Sequence, residues 1–152
     1  EVKTLASGSG TTKGVDADVA DKVSEENLDS AVAFAKAFAE KTGAVIAITG
    51  AIDIVADGKK AYCIRNGHPM MSSITGTGCQ LSGVATAYAV ANPQSKTVAV
   101  AAAVCLMGLA GEIGFAHLQP GEGNSSYRNR IIDAIYNMDA ATLEKGARYE
   151  VR

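Results

Sequence analysis

Apolar and polar positions follow two rhythms in the first half of the chain and a third in the second. From 24 to 43 the period is helical: Leu28, Val32, Ala35 and Phe38-Ala39 recur so as to form one apolar face. Ser24 is a good N-cap, Glu25 and Glu26 suit the positive first turn, and Gly43 supplies the stop. Ala44-Val45-Ile46-Ala47-Ile48 is then a short continuous apolar run, the pattern of a strand buried in a parallel sheet. It closes on Thr49-Gly50, at the carboxyl end where open α/β sheets commonly meet ligands. Ile52 to Ala56 and Lys60 to Arg65 alternate with a period of two, and Asp57-Gly58 between them predicts a hairpin. Asn66-Gly67 turns the chain again.

The second half is helical and rich in small residues. Leu81 to Ala91 reads as a helix buried on most sides and stopped by Asn92-Pro93. Lys96 to Leu118 reads as a long helix able to pack closely on its neighbours, broken by Pro120-Gly121. An amphipathic helix runs from about Ser125 to Met138 with Ile131, Ile132, Ile135 and Met138 facing inward, and Asp139 can cap a short terminal helix through Lys145. At the other end, Glu1 to Ala6 reads as the tail of a helix, and residues 7–14 as a polar, glycine-bearing linker. Helix, strand, hairpin, glycine turn and three helices in that order belong to an α/β layered domain. One core strand and one hairpin are little sheet for so many apolar helices. Either strands are missing from the chain or another chain supplies them.

Composition narrows the class without changing the picture. A chain of 152 residues is one ordinary domain. Hydrophobic residues at 47% and charged residues at 20% make it globular. A net charge of −2 with no basic stripe argues against a nucleic-acid or membrane-surface binder. The longest apolar run, Thr97 to Gly111, meets Glu112 before reaching the roughly 20 residues of a membrane span, so it reads as a buried helix. Cys63, Cys79 and Cys105, widely and unevenly spaced, form neither a disulfide ladder nor a zinc pattern, which points to a reducing cytoplasm. Glu1-Val2-Lys3-Thr4 is no secretory signal, and the absence of an initiator Met points to a processed or excised piece.

The chemistry concentrates in Ser72-Ser73-Ile74-Thr75-Gly76-Thr77-Gly78-Cys79-Gln80-Leu81-Ser82-Gly83. Two glycines one residue apart lead into a helix whose first N–H groups and positive dipole end make an anion site. Phosphoryl transfer needs little more than such positioning and charge stabilisation. Cys79 sits at the mouth of that helix and has three readings: a buried structural thiol, a nucleophile, or a residue beside a transferred phosphate. Thr49 is either a phosphate donor or the holder of its own turn. His68 and His117 have no pattern that would make them bases, Met70 and Met71 read as packing residues, and Arg128-Asn129-Arg130 reads as a solvated helix face. No Asp/Glu/His cluster has metal-ligand spacing.

Three motifs in sequence then carry a resemblance. Ile48-Thr49-Gly50-Ala51-Ile52-Asp53-Ile54-Val55, Asn66-Gly67-His68-Pro69-Met70-Met71 and Ile74-Thr75-Gly76-Thr77-Gly78-Cys79 follow one another at the spacing of hydroxyethylthiazole kinases. Pro120-Gly121-Glu122-Gly123-Asn124-Ser125-Ser126-Tyr127-Arg128 and the helix after it are similar to that family as well. Cysteine in the glycine turn is specific, because most ribokinase-like kinases carry aspartate there. The resemblance implies a ribokinase-like α/β/α fold, of which residues 1–152 are the C-terminal half. It implies transfer of the ATP γ-phosphate to the hydroxyl of 4-methyl-5-(2-hydroxyethyl)thiazole, with Mg2+, in thiamine salvage. By motif matching, Thr49 contacts ATP, Gly76 lies against the thiazole, and Gly78 and Cys79 complete an anion hole at the γ-phosphate. Glu1 matches a family glutamate near the magnesium. The resemblance also implies a homotrimer with active sites between subunits.

Overall fold

Residues 2–8 and 23–152 are described in the computed structural model, as α-helices and one four-stranded sheet. Glu1 and residues 9–14 of the expected linker lie outside the described residues. Two compact units divide the chain: residues 1–63 with 151–152, and residues 64–150.

The first unit opens with α1 (Val2–Ser7), closed by the Gly8 N–H donating to the Thr4 carbonyl at 2.9 Å. The helix expected from Ser24 begins as a single 3-10 turn, Glu25–Asn27, because the Asn27 side chain accepts the Ser24 N–H at 2.8 Å. It then runs on as α2 (Leu28–Thr42), and Gly43 ends it at φ +66° with its N–H on the Ala39 carbonyl. Leu28, Val32, Ala35 and Ala39 are buried as the periodicity predicts. Three of them pack with Ile52, Ile54, Ala56, Ala61 and Cys63. Each fully buried aliphatic side chain there contributes about 1.5–3 kcal/mol.

Strands β1 (Ile46–Ile48) and β2 (Asp53–Ala56) pair antiparallel, Ile46 opposite Ala56 and Ile48 opposite Ile54. The expectation of a buried parallel strand is corrected. In this chain β1 lies at the edge of the sheet, Ala47 is exposed, and Ile46 and Ile48 are half-buried. An apolar run records what a strand can bury, not which direction its neighbour runs. The hairpin of β2 with β3 (Ala61–Ile64) forms as expected. Its turn works differently from a left-handed Asp-Gly pair: Asp57 sits before the tip, and its Oδ1 accepts the N–H groups of Lys59 and Lys60 at 2.8 and 2.9 Å. The fourth strand, β4 (Tyr149–Val151), was not anticipated. Ala61 and Arg152 exchange both backbone hydrogen bonds, at 2.8 and 2.9 Å, so β3 and β4 are antiparallel.

In the second unit α4 (Lys96–Ala116) packs against both α3 (Thr77–Ala91) and α5 (Asn124–Asn137). At 21 residues α4 is long and apolar enough to cross a membrane, but most of its surface is buried within the fold, as in a core helix. Its glycines permit the close packing: a Cβ on Gly108 would meet the backbone carbon and oxygen of Asn66 at 2.7 Å. Tyr127 and Ile131 of α5 are fully buried, and the Tyr127 hydroxyl donates to the Gly111 carbonyl at 2.9 Å. Ile132 is 44% exposed, which corrects its inward placement. Helix α3 is corrected too, since none of its residues is buried and Val90 is 74% exposed. Its composition is largely apolar, but within this chain it packs on α4 and keeps no side chain fully buried. Asp139 caps α6 (Ala140–Gly146) by accepting the Thr142 N–H at 2.7 Å.

Candidate functional site

The glycine turn is built from its approach. A 3-10 segment, Pro69–Ser73, is started by His68, whose Nδ1 accepts the Met70 N–H at 3.2 Å. The His68 ring stacks on Phe115 at 3.6 Å, so this histidine is a packing and capping residue. Ile74 is buried with Met107 and Ala110, and the Asn124 side chain donates to the Ser73 carbonyl at 2.9 Å. Both contacts anchor the root of the turn and leave its tip in solvent.

At the tip, Gly76 adopts φ +95° and ψ 0°, a left-handed conformation that any side chain would strain by about 1–2 kcal/mol. That bend aims the start of α3 outward. The first helical hydrogen bond is Gln80 N–H to the Gly76 carbonyl at 3.0 Å. Thr77, Gly78 and Cys79 therefore present N–H groups that no helix carbonyl can accept, and among the described residues no side chain caps them. With the helix dipole behind them, three convergent donors suit a phosphate or carboxylate oxygen. Gly78 and Cys79 are exposed at this mouth. Burial excludes Cys63 and Cys105 from any such role.

The buried-thiol reading of Cys79 is corrected by its exposure. The nucleophile reading lacks a base. Among the described residues none hydrogen-bonds to its thiol, His68 is engaged as above, and His117 Nδ1 lies 2.8 Å from the Ile113 carbonyl at the end of α4. Arg128 and Asn129 are exposed, as expected of a solvated helix face, and the half-exposed Arg130 is tied to Glu122 by hydrogen bonds of 3.0 and 3.1 Å.

Thr49 belongs to the first unit, exposed in the loop that leaves β1. The next residue, Gly50, donates its N–H to Asp53 Oδ1 at 2.8 Å. Burial pushes the Asp53 carboxyl up to about 6, with the Gly50 bond pulling the other way. Asp53 was not singled out in the sequence, although a glycine three residues before an aspartate was a legible turn signal. Gln80 was also missed: its Oε1 is the one buried, unpaired side-chain polar atom among the described residues. Described residues offer no group of three or more His, Cys, Asp or Glu side chains able to hold a metal. Magnesium that arrives with a nucleotide needs only one or two carboxylates beside the phosphates, and Glu1, matched to that role by resemblance, lies outside the described residues.

Comparison with known proteins bears on what this turn belongs to. A model of the hydroxyethylthiazole kinase family matches residues 1–141. A hydroxyethylthiazole kinase of Clostridium acetobutylicum is 57% identical over 150 residues, which is 99% of this chain and 55% of that protein. Another, from Ruminiclostridium cellulolyticum, is 40% identical over 148 residues, 97% of this chain and 52% of that protein. The solved structure of a hydroxyethylthiazole kinase protein from Pyrococcus horikoshii OT3 superposes with a TM-score of 0.72 at 24% identity, over 84% of this chain and 48% of that one. The shared fold is mixed helix and strand, consistent with the ribokinase-like class. The chain spans about half the length of the curated relatives it matches. With the family model matched across nearly its whole length, the chain belongs to the hydroxyethylthiazole kinase family.

Proposed function

We propose that this chain is the C-terminal portion of a single ribokinase-like domain that moves the ATP γ-phosphate to the hydroxyl of 4-methyl-5-(2-hydroxyethyl)thiazole, in thiamine biosynthesis and salvage. The observation that carries this is the Gly76 turn, with three N–H groups that have no helix carbonyl to pair with and an exposed Cys79 at the start of α3. Gly78 and Cys79 donate backbone N–H groups to the γ-phosphate, where charge accumulates during transfer. Gly76, lacking a side chain, lets the thiazole alcohol approach the same point. Thr49 donates its hydroxyl to ATP. Cys79 positions the phosphate and takes no proton, since among the described residues no base is bonded to its thiol and both histidines are engaged elsewhere. Magnesium accompanies ATP, held by the phosphates with one or two carboxylates. The assembly is a trimer in a reducing cytoplasm, a setting that suits three free cysteines.

A second reading is a half-domain that acts only with a partner chain. It is favoured by α3, largely apolar yet with no buried residue, and by the half-covered β1. Coupled detection of ADP, with ATP and a panel of hydroxyethylthiazoles and other small alcohols, separates these. Thiazole-dependent ADP release is expected from the complete assembly, and release only on addition of a second chain selects the half-domain. No release with any hydroxyethylthiazole from the complete assembly sinks the proposal.

A further inference from the structure

We infer that Asp53 is a positioning residue for nucleotide binding, acting through the loop that carries Thr49. This rests on the proposed contact of Thr49 with ATP. The loop from Thr49 to Ile52 joins two antiparallel strands, and its exposed half would be free to sample other conformations. What closes it is a single side chain: Asp53 Oδ1 receives the Gly50 N–H at 2.8 Å. Asp53 is itself fixed, because it opens β2 between Ile52 and Ile54, 6% and 0% exposed, which are both part of the core under α2. A rigid strand thus grips the residue immediately following Thr49. Without the grip, the Thr49 hydroxyl loses its direction, and the cost appears in ATP binding alone.

The roles of carboxylate and amide oxygen are interchangeable here, since either accepts the Gly50 N–H. Isothermal titration of the protein with ATP, and separately with the thiazole alcohol, compares wild type with Asp53→Ala, Asp53→Asn and Thr49→Val. Asp53→Ala is expected to weaken ATP about tenfold while the thiazole affinity stays put, and Asp53→Asn to restore ATP affinity to within about threefold of wild type. A generally damaged fold would lower both affinities together and would overturn the inference. ATP affinity unchanged in Asp53→Ala, with Thr49→Val weakened, overturns the role of Asp53 and leaves the functional reading standing. ATP affinity unchanged in Thr49→Val removes the contact on which both depend.

Discussion

Glu112 and Arg148, 36 residues apart in sequence, meet in two parallel hydrogen bonds, Nη1 to Oε2 at 2.9 Å and Nη2 to Oε1 at 2.8 Å. Around this pair the second unit is tied together. Gly67 N–H and the Asn66 side chain also donate to Glu112 Oε1, at 2.7 and 3.2 Å. Asn66, 6% exposed, uses its remaining capacity on the Gly146 carbonyl and the Arg148 N–H. The cluster fixes the exit of β3, the last turns of α4 and the end of α6 at once.

Acid should loosen this cluster. Burial alone would raise the Glu112 carboxyl, but the bonds from Arg148, Gly67 and Asn66 outweigh it and hold the group below its ordinary 4.5. A depressed carboxylate contributes stability that is present above the unfolded value and lost as pH falls through the folded one. In urea melts, Glu112→Gln should be less stable than wild type at pH 7 by about 1–3 kcal/mol, a gap that narrows as pH falls below 4.5 and through the depressed folded value. A gap independent of pH would contradict this account.

Asp53 should behave in the opposite sense. Its carboxyl is raised from 3.8 to about 6, so the fold favours the protonated form. That contribution is full below the unfolded value and lost as pH rises through the window from 3.8 to about 6. Asp53→Asn should therefore match wild type near pH 4 and exceed it above pH 6, by on the order of 2 kcal/mol. The same melts across that range decide it.

Two glycine-to-alanine changes should have opposite signs. At Gly108 the added Cβ meets Asn66 backbone at 2.7 Å, so Gly108→Ala should cost about 1–3 kcal/mol or more. At Gly83, in the middle of α3, the Cβ meets nothing within 4 Å, and Gly83→Ala should gain about 0.5–1 kcal/mol from helix propensity. Thermal melts of the two variants are the check.

Gln80→Met should be stabilising by about 1 kcal/mol, because it removes the buried Oε1 that has no donor and keeps the packing volume. A loss of stability would show that the amide oxygen is satisfied in solution.

Local structure was legible wherever neighbours in sequence decide it. The face of α2, its Gly43 stop, the β2–β3 hairpin and the Asp139 cap all follow from residues within a few positions of one another. The turn at Gly76 and Cys79 was legible for the same reason. Pairing across long separations was not. Strand β4 is three residues long and finds β3 from the far end of the chain, and the Asn66–Glu112–Arg148 cluster joins positions up to 82 apart. The lone carboxylate of Glu112 inside an apolar helix was the available clue, since such a group seldom lies there without a partner. Composition misled for α3, because a largely apolar helix says what it can bury and not what this chain brings to cover it.

Amide NMR during an ATP titration tests the central claim most directly. The N–H groups of Thr77, Gly78 and Cys79 should show the largest shifts as ATP binds, and Gly76→Ala should abolish them. ATP binding that leaves those three amides unmoved would contradict the assignment of the turn as the phosphate site.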